Sequence, residues 1–349
     1  TFPGRGENYS NFKWDFNCFS GVDYAEGEND HVIYQILTEH GEGWEDVIGD
    51  EKGNYDYLMY SDIDHRNIHV RKELNDWGKW YHDQIGFTGV RLDAVKHQSP
   101  DFYKEWLQLL RANTGVNLFA VGEYWAPPGR LDLLHDYISA TEGTMMLFDC
   151  CLQERFHEAS NSGSDYDLRT IFDNTLVQSM PDKAVTLVDN HDTQPLQSLE
   201  APVEAWFKPL AYSLILLREA GIPTVFYPDL LGAHYRDKNP EGDEYEIFLD
   251  QVDGLETLLK VRKEHAYGMQ RDYFDEPTCI GWTREGDDVH TGCAVLLSNH
   301  DVNSKRMEIG QRYAGKVFYD ILGQRDEEVT VDEEGFAEFF CPAGGVSVW

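Results

Sequence analysis

Three carboxylates draw attention because each closes a short apolar run. Asp93 ends Gly86-Phe87-Thr88-Gly89-Val90-Arg91-Leu92, and Glu123 ends Phe119-Ala120-Val121-Gly122. Asp192 ends Ala184-Val185-Thr186-Leu187-Val188-Asp189-Asn190-His191. Residues two apart on a strand share a face. Arg91, Asp93 and Val95 therefore fall on one side, with Val90, Leu92 and Ala94 on the other. An arginine beside an aspartate keeps the carboxylate ionised and orients it through charge-assisted hydrogen bonds. That arrangement suits a carboxylate nucleophile, and it suits a plain buried ion pair equally well. The two later stretches shift the balance. Three strands in βα alternation, each delivering an acid at its C-terminal end, would meet at one mouth of a parallel barrel, where catalytic groups collect.

The elements that must position these acids follow from periodicity. Val70, Leu74, Trp77 and Tyr81 recur at helical spacing and predict an amphipathic helix over 68–84. A strand over 85–93 follows, then a helix near 100–113 stopped at Gly115, a strand over 117–122 and a helix near 129–138. Thr144-Met145-Met146-Leu147-Phe148-Asp149 reads as a further strand that carries on into Cys150-Cys151, the two thiols facing opposite ways. The spacing predicts a helix over 167–178, a strand over 184–189 and a long helix over 203–219 ended by Gly221 and Pro223. A strand over 223–228 and a helix over 253–264 complete this part. From about 270 the texture changes to short β-type runs separated by turn residues, among them Cys279-Ile280-Gly281-Trp282, Cys293-Ala294-Val295-Leu296-Leu297 and Val346-Ser347-Val348. These predict a small antiparallel β domain packed directly on the rest. Residues 1 to about 65 are irregular and rich in Gly, Asn, Asp and aromatics.

Composition excludes several classes of partner. The 349 residues carry a formal charge of −34, which argues against nucleic acid and anionic membrane as ligands. No apolar run approaches membrane-spanning length. Cys18, Cys150, Cys151, Cys279, Cys293 and Cys341 follow neither a disulfide nor a zinc spacing, so they are expected as reduced core residues, in keeping with a cytoplasmic setting.

The three acid-bearing stretches resemble conserved regions of the α-amylase family, glycoside hydrolase family thirteen. The likeness extends to Phe2-Pro3-Gly4-Arg5-Gly6, Gly53-Asn54-Tyr55-Asp56-Tyr57-Leu58-Met59, Trp206-Phe207-Lys208-Pro209-Leu210-Ala211-Tyr212 and Gly345-Val346-Ser347-Val348-Trp349, and so covers essentially the whole chain. Leu196-Gln197-Ser198-Leu199-Glu200 and Val225-Phe226-Tyr227-Pro228-Asp229 look most like the bacterial cytoplasmic branch, related to the liquefying amylases. The resemblance implies an α/β fold: a (β/α)8 TIM barrel with an inserted irregular domain and a C-terminal β-sandwich. The expected division is 1–65 for the later part of the insertion, 66–270 for the barrel from its third helix onward, and 271–349 for the sandwich. The chain opens on Thr-Phe-Pro-Gly, and in the family the first three barrel strands precede this point. A fragment is therefore expected, or strands supplied by another chain.

The same resemblance assigns roles. Asp93 would be the nucleophile, Glu123 the general acid and then base, and Asp192 the third carboxylate, in retaining hydrolysis through a covalent glycosyl-enzyme. Asp93 and Glu123 would then lie about 5–5.5 Å apart, and burial would keep Glu123 protonated. Arg91, Lys96, His97 and His191 would contact sugar, with Tyr55, Tyr124 and Trp125 as stacking surfaces. Asp189 is expected to be structural. One structural calcium would be held by Asp56, Asp62 and the His97 carbonyl. Ser20, Glu45 and Arg66 replace the acids that a second metal cluster would need, so no second cluster is expected. The implied activity is endo-hydrolysis of α-1,4-glucans, that is starch, glycogen or maltodextrins. A transglycosylase or exo-acting α-glucosidase of the same fold shares the trio, and an inactive sugar-binding relative is the reading from another class.

Overall fold

The computed structural model describes residues 2–3, 10–24, 32–49 and 56–349. The chain forms two compact units, Thr1–Phe148 and Asp149–Trp349.

In the first unit a small antiparallel sheet orders Tyr34–Gln35, Phe19–Val22 and Ser61–Ile63. The helix Ile68–Ile85 follows, started by Asn67, whose side chain accepts the His69 and Val70 N–H groups, and ended by Gly86 at φ +66°. The strands Gly89–Leu92, Phe119–Gly122 and Met146–Phe148 lie parallel in that order, with Arg91 opposite Val121 and Leu92 opposite Gly122. The helices Pro100–Thr114 and Leu131–Ala140 alternate with them. Gly78 allows the close crossing of the first two helices, because a Cβ there would lie 2.9 Å from the Trp106 ring. The Trp106 indole N–H donates across that crossing to the Leu74 carbonyl at 3.1 Å. The three predicted strands and three predicted helices of this unit form within a few residues of their expected bounds.

The second unit departs from expectation in several places. Cys150 and Cys151 belong to the helix Cys150–Ser162, because the Asp149 carboxylate accepts the Leu152 N–H and caps its first turn. The predicted 167–178 helix reduces to a 3₁₀ turn, Leu168–Thr170, and a single turn, Leu176–Ser179, whose Leu176 and Val177 N–H groups also point at Asp149. The 203–219 helix is regular only over Lys208–Leu217, where Leu210 to Leu217 are all buried. The 223–228 strand shrinks to Ile222–Pro223, since Tyr227 and Pro228 open a short helix, Tyr227–Leu231. Ile222–Pro223 lies parallel to Ala184–Thr186. A hairpin of Ala233–Lys238 and Glu244–Leu249, not anticipated from the sequence, comes before the helix Leu255–Glu264.

The C-terminal part is the expected antiparallel β structure. Gln270–Glu276, Cys279–Gly286, Thr291–Ser298 and Gly345–Val348 form one sheet in that order, and Asn303–Glu308 pairs with Phe336–Cys341. Cys279, Leu296, Met307, Phe339, Cys341 and Trp349, drawn from both sheets, share one core. The other face of the larger sheet meets the Lys208–Leu217 helix, where the Trp282 indole N–H donates to the Leu217 carbonyl at 3.4 Å. All six cysteines are free and buried, as expected of core thiols.

Candidate active site

The strand Gly89–Leu92 stops one residue before Asp93, and Ala94 takes a left-handed turn at φ +45°. This turn breaks the strand parity, so Val95 is fully buried instead of standing beside Arg91 and Asp93. Arg91 and Asp93 remain adjacent, with Nη1 to Oδ1 at 2.5 Å. The other guanidinium nitrogen, Nη2, reaches Glu123 Oε2 at 3.0 Å. One planar cation therefore bridges the two carboxylates, a geometry that lysine cannot copy.

The two carboxylates differ in setting. The Asp93 side chain is 70% exposed at the rim, whereas that of Glu123 is 9% exposed. Glu123 is locked by its own backbone as well: its N–H donates to the Leu92 carbonyl at 2.8 Å, and its carbonyl accepts the Val95 N–H at 2.9 Å. The Ala94 N–H donates to Glu123 Oε2 at 3.1 Å. Gly122 makes this close approach possible, since a Cβ there would sit 2.8 Å from Met145 Sδ and 3.2 Å from Val95 Cγ2. The turn after one strand thus grips the acid at the end of the next.

Apart from Tyr55, the other expected sugar contacts of this unit follow the pair closely in sequence. Lys96 Nζ donates to the Trp125 carbonyl at 3.0 Å, which ties the two segments together. His97 is buried at the end of the 3₁₀ turn Val95–His97. Trp125 is half-buried, whereas Tyr124 is buried against Tyr137 and donates its hydroxyl to the Ile48 carbonyl at 2.7 Å. Tyr124 is thereby committed to packing. Tyr55 lies outside the described residues.

In the second unit Asp192 and His191 are adjacent, with His191 Nε2 3.3 Å from Asp192 Oδ2. Ser198 Oγ donates to Asp192 Oδ1 at 3.4 Å. Asp189 is buried, as expected of a structural acid, and its carboxylate contacts Lys208 Nζ at 2.9 Å. Burial pushes the Asp189 carboxyl up, against the opposing pull of Lys208. Lys208, Tyr212 and Asp229 fall in stretches that carry the family resemblance but are given no site role by it, because nothing in a helix-opening lysine announces an inward-facing ammonium.

The expected metal ligands Asp56 and Asp62 are both buried, at 1% and 6% exposure. Burial, followed by the neighbouring Asp62 charge, pushes Asp56 up to about 8, and burial takes Asp62 to about 6. Asp56 Oδ2 accepts the Glu45 N–H at 2.9 Å, and the Ser20 hydroxyl donates to Asp62. Glu45 faces His65 Nδ1 at 3.1 Å, and Arg66 grips Asp64 through Nε at 2.8 Å and the Gly43 carbonyl through Nη2 at 2.9 Å. Two adjacent buried carboxyls under mutual repulsion are the donor chemistry that a hard cation would relieve. Among the described residues, no group of three His, Cys, Asp or Glu side chains is arranged to hold a metal ion.

Comparison with known proteins gives the family of the chain. Residues 293–349 match the family model described as α-amylase C-terminal. The whole chain is 50% identical over 350 residues to the cytoplasmic α-amylase of Escherichia coli K12, of which it spans 70%. It is 45% identical over 350 residues to the α-amylase of Geobacillus stearothermophilus, again along the whole chain and over 61% of that relative. The crystal structure of the α-amylase from Geobacillus thermoleovorans, complexed with acarbose, superposes with a TM-score of 0.64 at 18% identity, covering 87% of this chain and 70% of that one. With half of its residues identical, along its whole length, to 70% of the E. coli cytoplasmic α-amylase, the chain belongs to the α-amylase family of glycoside hydrolases.

Proposed function

We propose that this chain catalyses retaining endo-hydrolysis of α-1,4-glucosidic bonds in starch, glycogen or maltodextrins. The observation that carries the reading is the Arg91 bridge between Asp93 and Glu123. Retention needs two carboxyls about 5–5.5 Å apart, and two acids that share one guanidinium are close enough for that spacing. Asp93, exposed at the rim and oriented by Arg91, is the nucleophile that attacks the anomeric carbon. Glu123, held by Ala94 and Arg91, gives a proton to the departing oxygen and then takes one from the incoming water. Asp192 is the third carboxylate, aligning sugar hydroxyls and countering the positive charge of the transition state. Lys96, His97, His191 and Trp125 contribute to sugar binding, and Tyr55 is assigned a stacking role by the family motif alone.

In this reading the parallel strands belong to a (β/α)8 barrel. Among the described residues Gly89–Leu92 is the edge of its sheet, beside a groove of about 610 Å³ lined by Phe87, Val90, Phe102 and Trp106. The division into an insertion (1–65), a barrel (66–270) and a β-sandwich (271–349) goes with this reading. Asp56 and Asp62, with the His97 carbonyl, would hold one calcium, whose part is structural charge neutralisation. A cytoplasmic location is supported by the named location of the E. coli relative and by the free buried thiols.

The test is product analysis on maltoheptaose, together with the anomeric configuration of the first-formed ends by NMR. Early mid-length products of α configuration are expected. Release of single glucose units from the start would move the reading to an exo-acting α-glucosidase, and longer products than substrate would move it to a transglycosylase. No cleavage with binding retained would leave a sugar-binding relative.

A further inference from the structure

Asp192 stands on a turn that is held from below. Asn190 Oδ1 accepts the N–H groups of Asp192 and Thr193, each at 2.9 Å. The Asn190 N–H donates to Thr193 Oγ1 at 3.0 Å, and that hydroxyl donates to Asp189 Oδ1 at 3.2 Å. Val203 N–H reaches the same oxygen at 3.2 Å. The other Asp189 oxygen meets Lys208 Nζ at 2.9 Å, and Lys208 also grips Asp229 Oδ1 at 2.5 Å. The Tyr212 hydroxyl donates to Asp229 Oδ2 at 2.6 Å. Asp229 is wholly buried and Thr193 likewise, while Asp189 is 4% exposed.

Two buried carboxylates therefore meet one ammonium, which opens a helix whose remaining face is core. By contrast, the side-chain contacts of Asp192 to His191 and Ser198 are long, at 3.3 Å and 3.4 Å. A carboxylate so lightly held at its tip owes its placement to the backbone beneath it. That backbone is fastened through Thr193 and Asp189 to Lys208. Without the ammonium, two buried acids would repel each other and the Asp189 anchor would shift.

We propose that Lys208 is a positioning residue for Asp192, acting through Asp189 and Thr193; the inference rests on reading Asp192 as the third catalytic carboxylate. In the intact protein, Lys208→Met should lower kcat on maltoheptaose about 30- to 100-fold with KM changed less than about threefold, and Lys208→Arg should recover most of the loss. In an Asp192→Asn background the same change should cost less than about threefold, because the residue it serves is already gone. Amide hydrogen exchange gives a readout that needs no activity: the 189–201 segment should exchange at least about tenfold faster in Lys208→Met, with 279–298 unchanged. Should Lys208→Met fail to fold, Thr193→Val removes only the connecting hydroxyl and should lower kcat about tenfold in a folded protein. Unchanged exchange over 189–201, or losses that add fully in the double variant, overturns the proposal. If the parent shows no hydrolysis but the exchange effect appears, the amylase reading fails and the Lys208 linkage stands.

Discussion

Replacing Arg91 with methionine removes the bridge between Asp93 and Glu123 while keeping a long side chain. The contact to Glu123 is a charge-assisted hydrogen bond onto a carboxylate only 9% exposed, worth about 1.5–3 kcal/mol. The contact to Asp93 is shorter but lies on a side chain 70% exposed, so solvent screening limits it to about 0–1 kcal/mol. Together they amount to about 1.5–4 kcal/mol of orientation, which at 1.4 kcal/mol per decade is a fall of about 10- to 700-fold in kcat/KM. Reducing-end release from maltoheptaose measures the rate, and circular dichroism with urea unfolding shows that the variant is folded. Arg91→Lys keeps the charge but cannot bridge both acids, so it should still lie at least about tenfold below the parent. A folded Arg91→Met within about threefold of parent activity would show that the bridge orients nothing in the reaction.

Asp93→Asn should abolish turnover while leaving maltoheptaose affinity, read by calorimetry, within a few-fold of the parent; equal activity would remove the nucleophile assignment. Asp149 is pushed up to about 6 by burial, which outweighs the N–H donors of Val177, Leu176 and Leu152. Its folded pKa lies above the unfolded value, so the stability linked to its proton is present below about pH 4 and is lost as pH rises through about 6. Urea unfolding from pH 4 to 8 should therefore show the parent losing up to about 3 kcal/mol relative to Asp149→Asn as pH rises, and parallel curves would refute it. Phe339→Ala empties a fully buried site touching Phe318 and Trp349 and should cost about 3–5 kcal/mol in urea unfolding, whereas a loss below about 1 kcal/mol would contradict the packing described.

Much of the candidate site was legible because its chemistry is local in sequence. Arg91 and Asp93 are two residues apart on one strand end, and that spacing alone set them side by side. His191 and Asp192 are neighbours, and Gly115 ends its helix as its position implied. The failures share a cause. Cys150-Cys151 were read as strand because apolar continuity hides a helix start, and only the Asp149 cap, shared with the distant N–H groups of Leu176 and Val177, makes the switch visible. Val95 was placed on the polar face because a left-handed alanine cannot be foreseen from its type.

The order of short apolar runs, each ending in an acid, carried the resemblance to the family, the βα alternation and the choice of three candidate carboxylates, since these depend on residue type and spacing. The tertiary structure decided what those acids touch. Arg91 reaches Glu123 across a strand boundary 32 residues away, and Lys208 reaches Asp189 and Asp229 from a helix whose sequence looks merely apolar. Such contacts join segments far apart along the chain, and no local pattern encodes the distance between two side chains until packing brings their backbones together.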